Sequence, residues 1–146
     1  MRMLFKEATI LSANEYEEDM KYIKSLGDDW WLRSFGYNSY YAAYVDKEDI
    51  ASRYGEHVNY KFNVRPVLIL NRKQRKILKY RTEVFIDGKS YTSIGEYLVA
   101  NFSIGKYPFN EEVKDGNDYY TSYIRTIVDN WFNSNFQDEV EVEIKE

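Results

Sequence analysis

Acid–base catalysis, metal ligation and nucleophilic attack each need side chains that this chain supplies sparsely. There is one histidine, His57, in 146 residues. A lone imidazole cannot build a multi-histidine metal site or a triad, and a hydrogen-bonded loop residue is the reading that fits it. Carboxylates stand side by side at Asp28-Asp29, Glu17-Glu18, Glu48-Asp49 and Glu111-Glu112. Hydrolysis by paired carboxylates needs two of them at a set separation across a cleft, whereas sequence neighbours in helices and loops are usually solvated. Asp46, Glu48 and Asp49 offer oxygen ligands to calcium, but no EF-hand spacing accompanies them. Gly105 and Gly116 belong to no phosphate-cradling motif. No GxSxG elbow occurs. The absence of cysteine removes disulfides, thiolate nucleophiles and Cys-ligated zinc together. These residues predict a protein that is not an enzyme and holds neither metal nor other cofactor. A cleft enclosing a buried carboxylate pair would reverse that expectation.

Binding chemistry, by contrast, is abundant. Aromatic residues make up 18% of the chain, with 15 Tyr, 8 Phe and 3 Trp. Tyrosine offers a large contact area with few rotatable bonds and keeps one polar end wet, which suits recognition surfaces. AT-rich coding DNA also favours Tyr, so composition alone leaves both origins open. The candidate binding residues are Tyr37, Tyr40, Tyr41, Tyr107, Tyr119 and Tyr120, in two segments rich in turn residues, 35–44 and 105–123. The acidic tail adds Glu139, Glu141 and Glu143. That row either mimics a phosphate row before a basic partner or is the polar face of an edge strand, where charge deters aggregation. Residues 71–81 hold six basic side chains: Arg72, Lys73, Arg75, Lys76, Lys79 and Arg81. They read as a solvated linker or hairpin end rather than a nucleic-acid contact, because the net charge is -4.

Positioning these residues requires α+β elements. Ser12 and Glu15 form a capping box for a helix over about 13–26, with Tyr16, Met20 and Ile23 on one face and Gly27 closing it. A second helix runs from Thr121 or Ser122 to about 134, with Ile124, Ile127, Val128 and Trp131 as its apolar stripe. Strands are expected at 3–11, around Trp30-Trp31, at 40–45, 58–64, 67–70, either side of Asp87-Gly88, at 97–102 and along the alternating tail 139–144. Residues 46–55 and 105–118 read as loops. The sum is two amphipathic helices and about seven short strands in a mostly antiparallel sheet. With 44% apolar and 30% charged residues, the length fits a single domain, 1–146. No apolar run approaches the ~20 residues that span a bilayer, and no signal-peptide core follows Met1. A cytoplasmic protein is the expectation.

Trp30-Trp31-Leu32-Arg33-Ser34-Phe35-Gly36, then Ala43-Tyr44-Val45, then Val64-Arg65-Pro66-Val67-Leu68, resembles a bacterial and phage domain family with a WWLRSPG motif and a closing VRPxL strand. Phe35 stands where that family has Pro. The family is similar to the C-type-lectin-like fold of formylglycine-generating-enzyme relatives and phage receptor-binding proteins. Asp87-Gly88-Lys89-Ser90-Tyr91, Tyr107-Pro108-Phe109-Asn110 and the segment 119–136, with Ser122, Ile124, Arg125, Asn133 and Phe136, resemble the family's first half. The halves therefore stand exchanged, as in a circular permutation: residues 1–70, a basic joint at 71–81, and 82–146. The resemblance implies a structural role for Trp30, Trp31, Arg33, Arg65, Pro66, Arg125 and Trp131. Neighbouring tryptophans on a strand point to opposite faces, and each arginine beside a buried strand needs a carboxylate or carbonyl partner; Asp28, Asp29 and Asp118 are the candidates. Cysteine-dependent formylglycine chemistry does not carry over.

The expected function is protein binding by a module of a phage or related mobile element, in its sharpest form an inhibitor of a bacterial defence nuclease, as anti-CRISPR proteins are. The alternatives are a virion or surface module that recognises a receptor or carbohydrate, and an enzyme of unknown type. The expected state is a monomer or a domain-swapped homodimer.

Overall fold

The computed structural model describes residues 2–79, 81–109 and 123–145. Two short strands open the chain, β1 (Arg2–Met3) and β2 (Ala8–Thr9). Ser12 then starts α1 (Ala13–Asp19). Its hydroxyl accepts from the Glu15 amide while the Glu15 carboxylate accepts from the Ser12 amide, which closes the capping box. The helix expected to reach about residue 26 stops earlier. It passes through a 3-10 turn at Met20–Tyr22 and becomes extended at Ile23. Met20 and Tyr22 stay exposed, while Ile23 and Leu26 reach the core from beyond the helical turn, so packing favours the early stop.

Strands β3 (Trp30–Phe35), β4 (Tyr41–Val45), β5 (Ala51–His57), β6 (Lys61–Asn63) and β7 (Val67–Ile69) follow. Strand β5 corrects the expected loop at 46–55. It pairs with β4 from Val45↔Ala51 to Tyr41↔His57, and its register shifts between Ala42 and Tyr44. Gly55 lies inside the bulge with φ +87, which hides the alternation that marks a regular strand. The basic stretch is likewise not a linker but α2 (Arg72–Leu78). Asn71 and Gln74 form a second capping box, and the Gln74 amide donates to the Leu4 carbonyl at 2.7 Å. Arg72, Lys73, Lys76 and Lys79 stay exposed while Leu78 is buried, so the basic run is the wet face of a docked helix.

In β8 (Glu83–Ile86) and β9 (Lys89–Ser93), the Asp87-Gly88 hairpin forms as expected, with φ 50 and φ 77 at the turn. Then come β10 (Tyr97–Ala100), β11 (Lys106–Pro108), α3 (Tyr123–Asn135) and β12 (Val140–Lys145). The expected caps Thr121 and Ser122 lie outside the described residues. Among the described residues, three α-helices and twelve strands thus replace the expected two and seven.

The strands form two sheets, β1-β12-β8-β9-β10-β7-β2 and β11-β6-β3-β4-β5. Every pair is antiparallel except β3 with β6. The fold is α+β and mostly antiparallel. One face of the smaller sheet (Trp30, Leu32, Ala43, Val45) packs with Tyr16 of α1 and with Val67 and Val99 of the larger sheet. Its other face (Trp31, Ala42) packs with Val58, Phe109 and the α3 residues Ile124 and Val128. The larger sheet buries Leu68, Leu98 and Val142 beneath Leu78, Trp131 and Phe136. Among the described residues no helix is long and apolar enough to cross a membrane.

Candidate binding surface

The residues expected to build the core do so. Trp30 and Trp31 are 1% and 0% exposed and enter different clusters on opposite faces of β3. Trp31 donates from Nε1 to the Tyr107 carbonyl at 2.8 Å. Arg33 is held by the Glu15 carboxylate and the Ile10 carbonyl. Burial would raise the Glu15 carboxyl, but Arg33 and the Ser12 amide outweigh it and hold it below the usual carboxylate range. Arg65 is fully buried and has no carboxylate partner among the described residues. Its guanidinium donates to the carbonyls of Ala100 and Lys24, each at 2.6 Å, and to the Asn101 side chain at 3.3 Å. It lies 5.0 Å from the centroid of the Trp30 ring. Burial pushes Arg65 down to about 10, so it stays charged at neutral pH. The partners proposed from sequence thus divide: a carboxylate serves Arg33 and carbonyls serve Arg65. Asp28 and Asp29 serve neither, and Asp118 lies outside the described residues. Pro66 is buried between Arg65 and β7, Trp131 is half-buried against Phe136, and Arg125 is exposed within 4.0 Å of Asp129.

At the opposite end of β3 the aromatic residues face outward. Tyr37 and Tyr54 stack at 4.9 Å with their rings 18° apart, and Tyr40 stacks on His57 at 6.3 Å and 20°. Between these pairs Tyr41 is half-buried and meets Tyr37, Tyr54 and His57 edge-on, at 6.1, 5.6 and 5.9 Å. Tyr37 is 66% exposed, Tyr54 59% and Tyr40 50%. Tyr41 is thus a floor ring between two stacked walls. The backbone is shaped to allow this. A Cβ on Gly36 would sit 2.5 Å from the Tyr54 carbonyl oxygen, and one on Gly55 would strike the Ala42 carbonyl. Only glycine lets the end of β3 cross the β5 bulge so closely. The Tyr37 amide donates to the Tyr54 carbonyl at 2.6 Å and fixes the crossing.

No protein family, curated protein or solved structure matches this chain. The chemistry of the surface is therefore read from its own side chains. Tyr37, Tyr40 and Tyr41 come together as one surface, joined by Tyr54 and His57, which sequence reasoning missed because it read their segment as a loop. Tyr107 does not join them. It lies on β11, at the other edge of the same sheet, half-buried and 6.4 Å from the Tyr123 ring. Tyr119 and Tyr120 lie outside the described residues. Glu139, Glu141 and Glu143 are exposed on or just before β12, but this strand is not an edge throughout. Strand β1 flanks its start, with Arg2 opposite Glu141 and 3.7 Å from Glu139. Glu141 and Glu143 line a shallow groove with Asp87.

A cleft of about 490 Å³ with a floor of Leu11, Val67 and Ile69 collects the carboxylates of Glu15, Glu18, Asp19 and Glu96. Glu15 is paired with Arg33, Asp19 accepts from the Tyr97 hydroxyl, and Glu96 accepts from Arg75 at 2.7 Å. Burial, then the Asp19 carboxylate, push the Tyr97 hydroxyl up. Glu18 and Glu96 are exposed. The cleft is a set of structural pairs with exposed acids at its rim, not a buried carboxylate pair. Among the described residues no cluster of acidic or histidine side chains is arranged to hold a metal ion.

Proposed function

We propose that this chain is a non-enzymatic protein-binding module of a phage or related mobile element, which docks on its partner through the surface of Tyr37, Tyr40, Tyr41, Tyr54 and His57. The observation that carries this reading is an aromatic cluster left open to solvent on a backbone that two glycines shape for it. Exposed aromatic groups of this size mark recognition sites. Within the class, the sharper reading is an inhibitor of a bacterial defence nuclease acting inside the host cell, for which the acidic charge and the engaged cleft carboxylates are the supporting features. The C-type-lectin-like, permuted architecture belongs to the same proposal. Its support is the doubly buried Trp30-Trp31 pair, the Arg65-Pro66 closure, and the pairing of β1 with β12, which sets side by side the strands that an unpermuted chain would connect.

Affinity capture from bacterial lysate tests the reading, with the wild type and a Tyr37→Ala/Tyr54→Ala variant run in parallel. The expected result is a stoichiometric protein, a defence nuclease in the sharper reading, that the variant loses. Capture of glycan alone would transfer the surface to carbohydrate recognition, since stacked rings also cover sugar faces. A captured protein indifferent to the variant would remove the docking role.

A further inference from the structure

We infer that the tyrosine surface takes arginine side chains of a basic partner, in preference to lysine or to neutral groups. The inference rests on the docking reading above and assigns the partner's chemistry.

Charge is the first argument. Residues 35–41 carry no charged side chain, and residues 53–61 carry Glu56 with Arg53, which donates to Glu17 and Asn14, and Lys61 at the ends. Glu56 lies beside the cluster, its Oε1 accepting from the His57 amide at 3.0 Å. The whole chain carries -4. A basic segment is thus drawn by the overall charge, with the Glu56 carboxylate beside the rings and Arg53 already engaged by Glu17.

Ring geometry is the second argument. Tyr37 and Tyr54 each cover one face of the other, yet they remain 66% and 59% exposed, so an outer face stays open. Tyr40 is placed the same way on His57. An open tyrosine face attracts a cation through its quadrupole. A guanidinium is planar, weakly hydrated and able to stack flat, while an ammonium is compact and strongly hydrated. Two stacked pairs around a floor ring therefore select the planar ion. The molecule already uses this contact internally, where the Arg65 guanidinium lies 5.0 Å from the Trp30 ring centroid.

The test uses an acetylated, amidated Arg-Gly repeat peptide, with Lys-Gly and citrulline-Gly twins, titrated into the full chain carrying labelled tyrosine. Ring signals are followed by NMR, and affinities are compared at matched salt. The Arg peptide should shift the Tyr37, Tyr40 and Tyr54 rings and bind about fivefold more tightly than its Lys twin. Tyr37→Ala/Tyr54→Ala should weaken it about tenfold, while Tyr37→Phe/Tyr54→Phe, which keeps both faces, should bind as the wild type does. Equal affinity for Arg and Lys, equal affinity for the citrulline twin, absence of ring shifts, or indifference to the Ala pair would each overturn the inference. If it falls while the captured partner is still lost by the Ala pair, the docking surface stands with another chemistry. If that partner ignores the Ala pair, the docking reading falls as well.

Discussion

The two ends of β3 use the same class of side chain for opposite purposes. Trp30 and Trp31 are sealed on both faces, by α1 and the larger sheet on one side and by α3 on the other. Six residues further on, Tyr37 and its neighbours have no covering element among the described residues, yet they are as closely stacked as core rings. Aromatic packing density therefore does not distinguish core from surface here; the covering layer does. Where that layer stops, the backbone turns unusual, with a bulge and two sterically required glycines.

The largest effect belongs at the buried end. Trp31→Ala should lower unfolding stability by about 3–5 kcal/mol in chemical denaturation, the range for a large aromatic removed from a packed core. A loss below about 1 kcal/mol for both Trp30→Ala and Trp31→Ala would erase the contrast. Alkali acts on the same end. Burial, then nearby Asp49, push the Tyr16 hydroxyl, which donates to the Asp49 carbonyl, up to about 12. Its folded value exceeds the unfolded one near 10, so its contribution is full below pH 10 and is lost as pH rises towards 12. The change is worth about 2–3 kcal/mol by linkage. Denaturation midpoints across that window, compared between the wild type and Tyr16→Phe, measure this residue's share of the slope. Gly55→Ala probes the junction between the ends. With φ +87 and a Cβ driven against the Ala42 carbonyl, it should cost about 1–3 kcal/mol and loosen the Tyr37–Tyr54 stack, visible in ring NMR shifts. The smallest effect belongs at the open end. Tyr37→Ala/Tyr54→Ala should change stability by no more than about 1 kcal/mol while removing partner binding. A larger loss would show these rings to be core after all.

Sequence patterns carried the elements whose order is local. The Ser12–Glu15 box, the Asp87-Gly88 hairpin, the α3 stripe and the alternating tail all form. Two segments misled because their order is tertiary. Ala51–His57 shows no alternation, and pairing with β4 makes it a strand. Residues 72–78 are dominated by charge, which masks a helix that the Asn71–Gln74 box alone signals. The binding surface was half legible for the same reason. Tyr37, Tyr40 and Tyr41 are near in sequence, whereas Tyr54 and His57 reach them only across the bulged β4–β5 ladder. Tyr107 was misplaced because a tyrosine in an apparent loop gives no sign that its strand forms the far edge of the sheet.

Arg65 bears on how the molecule moves as well as on how it is held. Its partners are mainly backbone oxygens of two distant segments, Lys24 and Ala100. A carboxylate side chain can follow a departing arginine into water, but a carbonyl built into the chain cannot. Any partial opening that separates those segments leaves a bare charge in the interior, so partial openings are suppressed in favour of complete ones. The Ile23 amide, beside Lys24, and the amides of β10 should therefore exchange their hydrogens with one common free energy, and Arg65→Met should split it into two.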